Sequence, residues 1–174
     1  MSTVQTQIAA KLESAFSQYG FAEPSVAKLK QACGVSLRTL YKYYGSKEEM
    51  IVAALEYRHQ RYLALLKQDV DDNGLEALLN VIGKLTVWMR DEAPNGCMSL
   101  NACTAFPNNQ EIAHAVQTHK QQVGAILGEI SGQPDKAEQW LLIHEGVVNA
   151  WPIQGELAIK TAQAIIQTLY KEPR

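Results

Sequence analysis

A short run of cations, hydroxyls and phenols is the part of this chain best suited to chemistry with another molecule. Residues 34–45 have the sequence GVSLRTLYKYYG, in which Gly34 is a helix-stop signal and Ser36 is a helix N-cap. Arg38 and Lys42 are four residues apart, so they share one face of the short helix between these signals. Proteins place short cationic helices, held by an apolar scaffold, in the major groove of DNA. The run therefore predicts a DNA-binding helix.

Base contacts and phosphate contacts do different work on DNA, because only base contacts give sequence preference. Arg38 is a candidate base contact, since a guanidinium matches guanine O6 and N7. Lys42 is the second candidate, and either cation can instead neutralise a phosphate. We expect Tyr43 and Lys47 to contact phosphates. The Tyr43 phenol can donate from the end of the helix, and Lys47 lies at the next helix start, where backbone amides attract anions.

Hydroxyl and apolar side chains around these cations complete the predicted interface. Ser25, Ser36 and Thr39 lie at helix starts and are expected to face the same DNA strand; for both serines N-capping is the alternative, and the two roles are compatible. Leu37 and Tyr41 are expected to contact a thymine methyl group or the DNA backbone. The predicted DNA-binding residues are Ser25, Ser36, Leu37, Arg38, Thr39, Tyr41, Lys42, Tyr43 and Lys47.

The distribution of charge favours a polyanionic partner for the N-terminal part only. The whole chain has a net charge of −2. Residues 1–48 contain six Lys or Arg against three acidic residues, whereas residues 49–174 contain ten against fifteen. A basic segment on an acidic chain is typical of nucleic-acid binding by that segment. Ordinary scatter of surface charge is the alternative.

Helical periodicity dominates the chain, and no β-type alternation flanked by turn residues stands out. Residues 1–47 contain a supporting helix followed by two short helices joined by a Gly-containing turn, which make a helix-turn-helix unit. The longer helices that follow are predicted at about residues 47–67, 75–91, 108–130, 135–151 and 155–171, with a short apolar helix or connector at 97–106.

The last two predicted helices, near 135–151 and 155–171, are apolar on more than one side. Such a helix buries one face in its own core and another against something else. We expect the two helices to pair with their copies in a two-fold dimer, forming a four-helix interface. A large intramolecular core is the alternative. Small residues that permit close helix approach lie at Gly146, Ala150, Ala158 and Ala162.

Three motifs in the first part of the chain carry a resemblance to a known family. They are GF at 20–21 with SV at 25–26, ACGVS at 32–36, and TLYKYY at 39–44 followed by SKEE at 46–49. The last is similar to the TLYxYF…SKEEL run of the TetR family of bacterial transcriptional regulators. The chain resembles that family closely over its first ~50 residues, and beyond them only in helix order.

The resemblance implies an all-α fold of about nine helices. Residues 1–47 are then the helix-turn-helix DNA-binding domain, and residues 48–174 the helical-bundle domain for ligand binding and dimerisation. The implied function is a DNA-binding regulator, a repressor released from its operator by a small molecule. Its partners are a double-stranded DNA operator, a second copy of the chain and an unidentified effector. No cofactor is expected.

Large side chains expected to face inward on the helices after residue 47 are the candidate effector contacts. Each has an alternative role in plain core packing. A pocket for a small molecule combines such apolar surface with a few polar groups. The candidates are Tyr57, Tyr62, Trp88, Met89, Met98, Phe106, His119, His144 and Trp151.

Cys97 offers an alternative way of sensing. It follows Gly96, in a GC…NA pattern similar to a subset of the family, and a thiol at a loop or helix start can react with oxidants or electrophiles. Its other reading is a small buried hydrophobe. A further alternative for the whole chain is a helical module that binds a small molecule or a protein partner and no longer binds DNA.

Several function classes are not expected. The three cysteines show no CxxC spacing, which argues against a disulfide framework, and no metal-ligand spacing is present. No run reaches the ~18 apolar residues of a membrane span, and no secretory signal is evident, so we expect a cytoplasmic protein. A nucleophile elbow and a Gly-rich phosphate loop are also missing, so we expect no enzymatic activity.

Overall fold

The computed structural model describes residues 3–70 and 72–171. Within these ranges all regular structure is helical, which confirms the predicted all-α class. The helices are α1 (Thr3–Tyr19), α2 (Val26–Cys33), α3 (Leu37–Tyr43), α4 (Lys47–Lys67), α5 (Leu75–Asp91), α6 (Met98–Ala105), α7 (Gln110–Ser131), α8 (Ala137–Gln154) and α9 (Glu156–Tyr170), with a 3₁₀ turn at Pro134–Lys136 before α8.

Local side-chain caps define the two short helices of the helix-turn-helix. The Ser25 hydroxyl accepts the Lys28 backbone N–H before α2, and the Ser36 hydroxyl accepts the Thr39 backbone N–H at 3.0 Å before α3. Gly34 ends α2 at φ +65°, in the left-handed region that glycine adopts without steric cost. Helices of eight and seven residues are marginal alone, so packing must complete their stability.

The first compact unit of the chain extends to Tyr62 and includes Met98–His119. Its core is formed by one face each of α1, α2, α3 and the first part of α4, together with Met98 and Ala102 of α6 and Ile112 of α7. Leu40 is the only fully enclosed side chain of α3 among the described residues, and Phe16 stacks on Phe21 at 5.1 Å. The face of α3 opposite Leu40 is therefore available for another role.

The second compact unit comprises Leu63–Cys97 and the chain from Lys120 onwards. In it α5 and α8 pack on α9. Trp140 is buried and stacks on Tyr170, whose hydroxyl donates to the Ser131 carbonyl at 2.9 Å. These compact units are divisions by packing. The functional boundary expected between residues 47 and 48 is a different division and stays a prediction.

None of the helices in the described part of the chain is long and apolar enough to cross a membrane.

Candidate nucleic-acid interface

The predicted base-contacting side chains lie on the exposed face of α3. Arg38 and Lys42 are exposed, and Leu37 and Tyr41 each keep 46% of their surface accessible. Leu40 points the other way and is fully buried. One helix therefore has an apolar side that anchors it and a cationic, phenolic side that faces solvent. This arrangement can present donors to base edges in a major groove.

The predicted hydroxyl contacts have structural roles. Ser25 and Ser36 are N-caps, as their alternative interpretation required. Ser36 Oγ and Thr39 Oγ1 also lie 2.7 Å apart, so these two hydroxyls share a hydrogen bond at the start of α3. An N-cap oxygen has further hydrogen-bonding capacity, since a hydroxyl both donates and accepts. Contact of these residues with DNA stays a prediction.

Lys47 is held more tightly than sequence reasoning expected. Its ammonium donates to the Ala22 carbonyl at 2.9 Å and lies 5.7 Å from the centre of the Phe106 ring. Burial lowers the pKa of Lys47, only partly opposed by nearby Glu48. An ammonium has three donors, so the bond to Ala22 leaves capacity for a phosphate while fixing where the nitrogen lies.

The start of α4 is locked directly after the recognition helix. Ser46 Oγ accepts the Glu49 backbone N–H at 3.0 Å, and the Glu49 carboxylate accepts the Gly45 backbone N–H at 2.8 Å. This reciprocal pattern is a capping box, shifted by one residue on the glycine side. It satisfies two backbone donors and places an acid in the first turn, where the helix dipole favours it. The connection from α3 to α4 is thus defined by local bonds.

Two other basic residues counted in the N-terminal charge support the scaffold. Lys11 donates to the Cys33 carbonyl at 2.9 Å, which places a cation at the C-terminal end of α2. Lys28 lies 3.5 Å from the centre of the Tyr19 ring, a cation–π contact. The basic excess of residues 1–48 therefore overstates the number of cations presented to a partner. The sequence pattern did not predict these contacts, because it reports on neighbours along the chain, whereas both contacts join α1 to α2.

The nine candidate effector contacts fall in both compact units. Tyr57, Tyr62, Met98, Phe106 and His119 belong to the first, and Trp88, Met89, His144 and Trp151 to the second. Contact of any of them with an effector stays a prediction.

The two histidines among these candidates have carboxylate partners. His119 Nε2 lies 2.8 Å from Glu56 Oε2, and His144 Nδ1 lies 3.0 Å from Glu145 Oε1. Both imidazoles are buried. Burial lowers the pKa of His144, although Glu145 opposes the shift, so this ring is neutral at pH 7 and donates Nδ1–H to the carboxylate. These bonds give both histidines a structural role.

Cys97 belongs to a buried polar cluster in the second unit. Lys120 Nζ lies 3.3 Å from Cys97 Sγ and 2.8 Å from Glu145 Oε1. Burial alone would raise the pKa of Glu145, but the hydrogen bond from His144 and the charge of Lys120 outweigh it and lower that pKa to about 2. Burial likewise lowers the pKa of Lys120, and Cys97 and Glu145 reverse this to a net rise.

Sequence reasoning missed Lys120 and Glu145. A signal was present for the lysine, because Lys120 follows Val116 by four residues and precedes Val123 by three, on the inward side of α7. A lysine at such a position needs a partner. Its partners are 23 and 25 residues away in the chain, so their identity depends on the fold.

An apolar groove of about 300 Å³ lies on α8 and α9. Leu142 and Ile165 at this groove keep 74% and 44% of their surface accessible, so the chain itself leaves much of this face uncovered. The small residues named above as points of close helix approach line it. The lining residues are Leu142, Ile143, Gly146, Val147, Ala150, Gln154, Ala158, Thr161, Ala162 and Ile165.

In the described residues no group of three or more His, Cys, Asp or Glu side chains is placed to hold a metal ion.

Comparison with solved structures shows the same fold over nearly the whole chain. A TetR-family transcriptional regulator from Streptomyces coelicolor, SCO4454, is 17% identical with a TM-score of 0.83, covering 98% of this chain and 89% of that one. The reduced form of E. coli NemR is 20% identical with a TM-score of 0.80, covering 98% of each chain. Bacillus subtilis FadR, in complex with stearoyl-CoA, is 16% identical with a TM-score of 0.69, covering 97% and 98%.

Sequence comparison identifies the N-terminal segment. No curated protein matches the chain. The model of the tetR family of bacterial regulatory proteins matches residues 8–54, which contain α2, α3 and the locked start of α4. That match places residues 8–54 in the tetR family of bacterial regulatory proteins, and the described part of the chain shares the fold of regulators of this kind.

Proposed function

We propose that the chain is a homodimeric transcriptional repressor that binds an operator through α3 and is released by a small molecule. The observation that carries the proposal is the two-sided character of α3. Leu40 anchors the helix, while Arg38 and Lys42 project from its exposed face, inside the segment that matches the family. Because its proposed target is operator DNA, the chain would act in the cytoplasm. No catalytic role is expected.

On the operator, each side chain of α3 has a chemical role. Arg38 donates two parallel hydrogen bonds to a guanine, and Lys42 contacts an adjacent base or phosphate. Tyr43 and Lys47 donate to phosphates of one strand. Because Lys47 is already bound to the Ala22 carbonyl, it reaches a phosphate from a defined position and loses little freedom on binding.

The uncovered groove on α8 and α9 is the proposed dimer interface. Its small residues permit close helix packing, and Leu142, Leu157 and Ile165 carry exposed apolar surface that a second copy would bury. Two α3 helices held by such a dimer can occupy successive major grooves, which are about 34 Å apart. An interface of this kind is isologous, so each protomer contributes the same face.

The proposed effector binds in the helices after residue 47. The predicted contacts are mostly aromatic or methionine side chains, which favours an effector with substantial apolar area. FadR, in the structure noted above, is in complex with stearoyl-CoA. An effector of this chain acts by preferring the conformation that does not fit the operator, and the population of operator-competent dimers then falls.

Removal of the predicted phosphate contacts tests operator binding. The variant Tyr43→Phe/Lys47→Ala removes up to four phosphate contacts per dimer. We expect its affinity for DNA from its own promoter to fall roughly 10- to 100-fold at about 0.1 M salt. Because log affinity falls with log salt by roughly 0.9 for each phosphate that a Lys or Arg neutralises, the loss of Lys47 from both protomers should lower the salt slope by about 2, whereas the loss of the neutral Tyr43 phenol lowers affinity without changing the slope. The measurement is a mobility-shift titration at several salt concentrations.

Lys67→Ala is the matched control, because Lys67 is exposed in the last turn of the same helix. It should leave the salt slope unchanged. Circular dichroism must show that both variants remain folded, since Lys47→Ala also removes the bond to Ala22. Equal affinity and slope in wild type and the double variant would contradict the phosphate assignment. If the wild-type chain binds no DNA, the result favours the alternative function, a helical module that binds a small molecule or a protein partner.

A second candidate function, sensing through a thiol, is favoured by the Cys97–Lys120 contact. An ammonium 3.3 Å from sulfur stabilises the negative charge that sulfur carries when it attacks an electrophile. Glu145 fixes the position of Lys120, and His144 fixes that of Glu145. Modification of Cys97 would break the contact between its sulfur and Lys120. Because this contact lies inside a packed cluster, its loss would force the surrounding side chains to rearrange.

Alkylation rates test the thiol candidate. We expect Cys97 to react with a small uncharged maleimide roughly tenfold more slowly in Lys120→Met, equivalent to about 1.4 kcal/mol of lost charge stabilisation. Alkylation in the wild type should lower operator affinity. Peptide mass spectrometry over time follows the rate, with half-buried Cys103 as the internal reference. Equal rates at Cys97 in both proteins, or full operator affinity after alkylation, would reject a sensing role.

A further inference from the structure

The buried ring of His119 uses only one of its two nitrogens. Nε2 lies 2.8 Å from Glu56 Oε2, at a contact between α7 and α4. Nδ1 is enclosed as well, and it has no hydrogen-bond partner among the described residues. Only 5% of the His119 surface is accessible. Most buried polar atoms in proteins have a partner, so an enclosed ring nitrogen without one indicates a partner that the chain itself does not supply.

The bond to Glu56 determines what Nδ1 can do. Burial would raise the pKa of Glu56, but hydrogen bonds from Gln60 and His119 outweigh it and lower that pKa. Glu56 is therefore an anion at neutral pH and can only accept a hydrogen bond, so Nε2 carries the proton that it donates. A neutral imidazole has a single N–H, which leaves a lone pair on Nδ1. Nδ1 is then an acceptor, and its partner must be a donor.

Stacking holds this lone pair in a fixed direction. The His119 ring lies on the His59 ring, with centroids 4.0 Å apart and planes at 12°. His59 is itself buried. The stack and the bond to Glu56 together define the orientation of the His119 ring. A ligand that donates to Nδ1 therefore meets an acceptor that is already ordered, and binding costs little side-chain entropy.

Apolar side chains of the same compact unit can supply the rest of a binding site. Val116 precedes His119 by three residues and so lies on the same side of α7. Val116, Tyr57 of α4 and Phe106 after α6 are partly buried and pack against the core of this unit. Their accessible surface gives a ligand apolar contact area, and His119 adds one oriented polar atom. Small-molecule sites usually have this composition.

The charges near His119 disfavour an anionic ligand. Glu56 places a carboxylate at the other nitrogen of the same ring. The arginines of this part of α4, Arg58 and Arg61, are both paired with Glu13. An anionic group at Nδ1 would face a lone pair on one side and a like charge beyond it, which is unfavourable.

We propose that His119 Nδ1 accepts a hydrogen bond from the effector, and that the effector is an uncharged, largely apolar molecule with a hydroxyl or N–H donor. That such a molecule releases the operator rests on the proposed function, whereas its binding at His119 is tested without DNA.

Three probes with the same apolar skeleton test the chemical class. 2-Naphthol carries a hydroxyl donor, 2-methoxynaphthalene has no donor, and 2-naphthoate is an anion. We expect the wild-type chain to bind 2-naphthol about tenfold more tightly than 2-methoxynaphthalene, because only the phenol satisfies the buried Nδ1. 2-Naphthoate should bind weakest of the three. Isothermal titration calorimetry slightly above neutral pH measures the affinities.

His119→Phe locates the preference, because it keeps an aromatic ring against His59 and removes the acceptor. The two uncharged probes should then bind within about twofold of each other, since neither can donate to the phenylalanine ring. His114→Phe is the matched control, because His114 is an exposed histidine of the same helix. It should keep the full preference for 2-naphthol.

Glu56→Gln tests the position of the proton and does not depend on His119→Phe remaining folded. A glutamine amide can accept from Nε2 or donate to it, so the ring is no longer held with its proton on Nε2. The preference for 2-naphthol should fall to about threefold or less, although the histidine is still present. A merely structural contact between Glu56 and His119 would instead change the affinities of both uncharged probes by the same factor.

Equal affinity of the wild type for the two uncharged probes would overturn the proposal, as would tightest binding of 2-naphthoate or no binding of any probe. An ordered water that satisfies Nδ1 without a ligand predicts the first of these results. A preference that persists in His119→Phe would place the donor contact elsewhere and also overturn it. If the preference follows His119 but 2-naphthol does not release the chain from promoter DNA, control of DNA binding from this site fails and the site itself stands.

Discussion

Leu142→Glu should convert the proposed dimer to a monomer at micromolar concentration and weaken operator binding by roughly a thousandfold. Leu142 is 74% exposed beside the apolar groove on α8 and α9, so the change places a carboxylate where two copies would bury apolar surface. An unpaired charge in such an interface is strongly unfavourable. A monomer also loses the avidity of two linked recognition helices, typically a factor of about 10² to 10⁴.

Sedimentation equilibrium measures the association state, and a mobility shift on promoter DNA measures affinity. Val87→Glu is the matched control, because Val87 is 53% exposed on α5 and does not line the groove. It should remain dimeric with full affinity. If the Leu142→Glu protein stays dimeric, the groove on α8 and α9 is not part of the dimer interface. A monomer with unchanged affinity would instead separate dimerisation from DNA binding.

Arg38→Ala should weaken binding to the preferred operator by about 100-fold or more while sparing binding to unrelated DNA. A bidentate arginine–guanine pair contributes roughly 1–3 kcal/mol of discrimination, and a two-fold dimer contains two such pairs. The exposed position of Arg38 on α3 means that its loss opens no cavity in the core. Thermal stability should therefore stay close to that of the wild type.

Competition between operator and random-sequence DNA measures this loss of preference. Arg90→Ala is the control, because Arg90 is likewise an exposed arginine but pairs with Asp91 at 2.8 Å in the second compact unit. It should change neither affinity nor preference. If Arg38→Ala weakens binding to all sequences equally, Arg38 contacts phosphate, and Lys42 becomes the candidate for base recognition.

Signals close together in the chain predicted most of the helices. Helix α4 begins at Lys47 and ends at Lys67 as expected, because the start signal and the polar break are both local. Helix α8 differs, since it continues to Gln154 and includes Pro152, whereas the expected end lay at about residue 151. Proline disfavours helix in the residue before it, yet Trp151 is helical here, so the local signal placed the end of α8 about three residues too early.

Partners of the charged side chains were the part of the site that sequence reasoning could not supply. Ser25 and Ser36 each accept a hydrogen bond from the backbone N–H three residues later in the chain. At this separation the local sequence pattern is enough to predict the contact. Lys47 finds its carbonyl 25 residues away, and Glu13 finds Arg58 at a separation of 45. Such contacts depend on how helices cross, which periodicity alone does not specify.

The separation of roles along α3 makes this chain a practical starting point for regulators with altered operator preference. Leu37, Arg38, Tyr41 and Lys42 project outward, whereas the turn at Gly34 and the anchor at Leu40 carry the structure. Randomised libraries at the four outward positions should stay folded in most members, because no buried contact is exchanged. Selection on a new target sequence would then sample recognition alone.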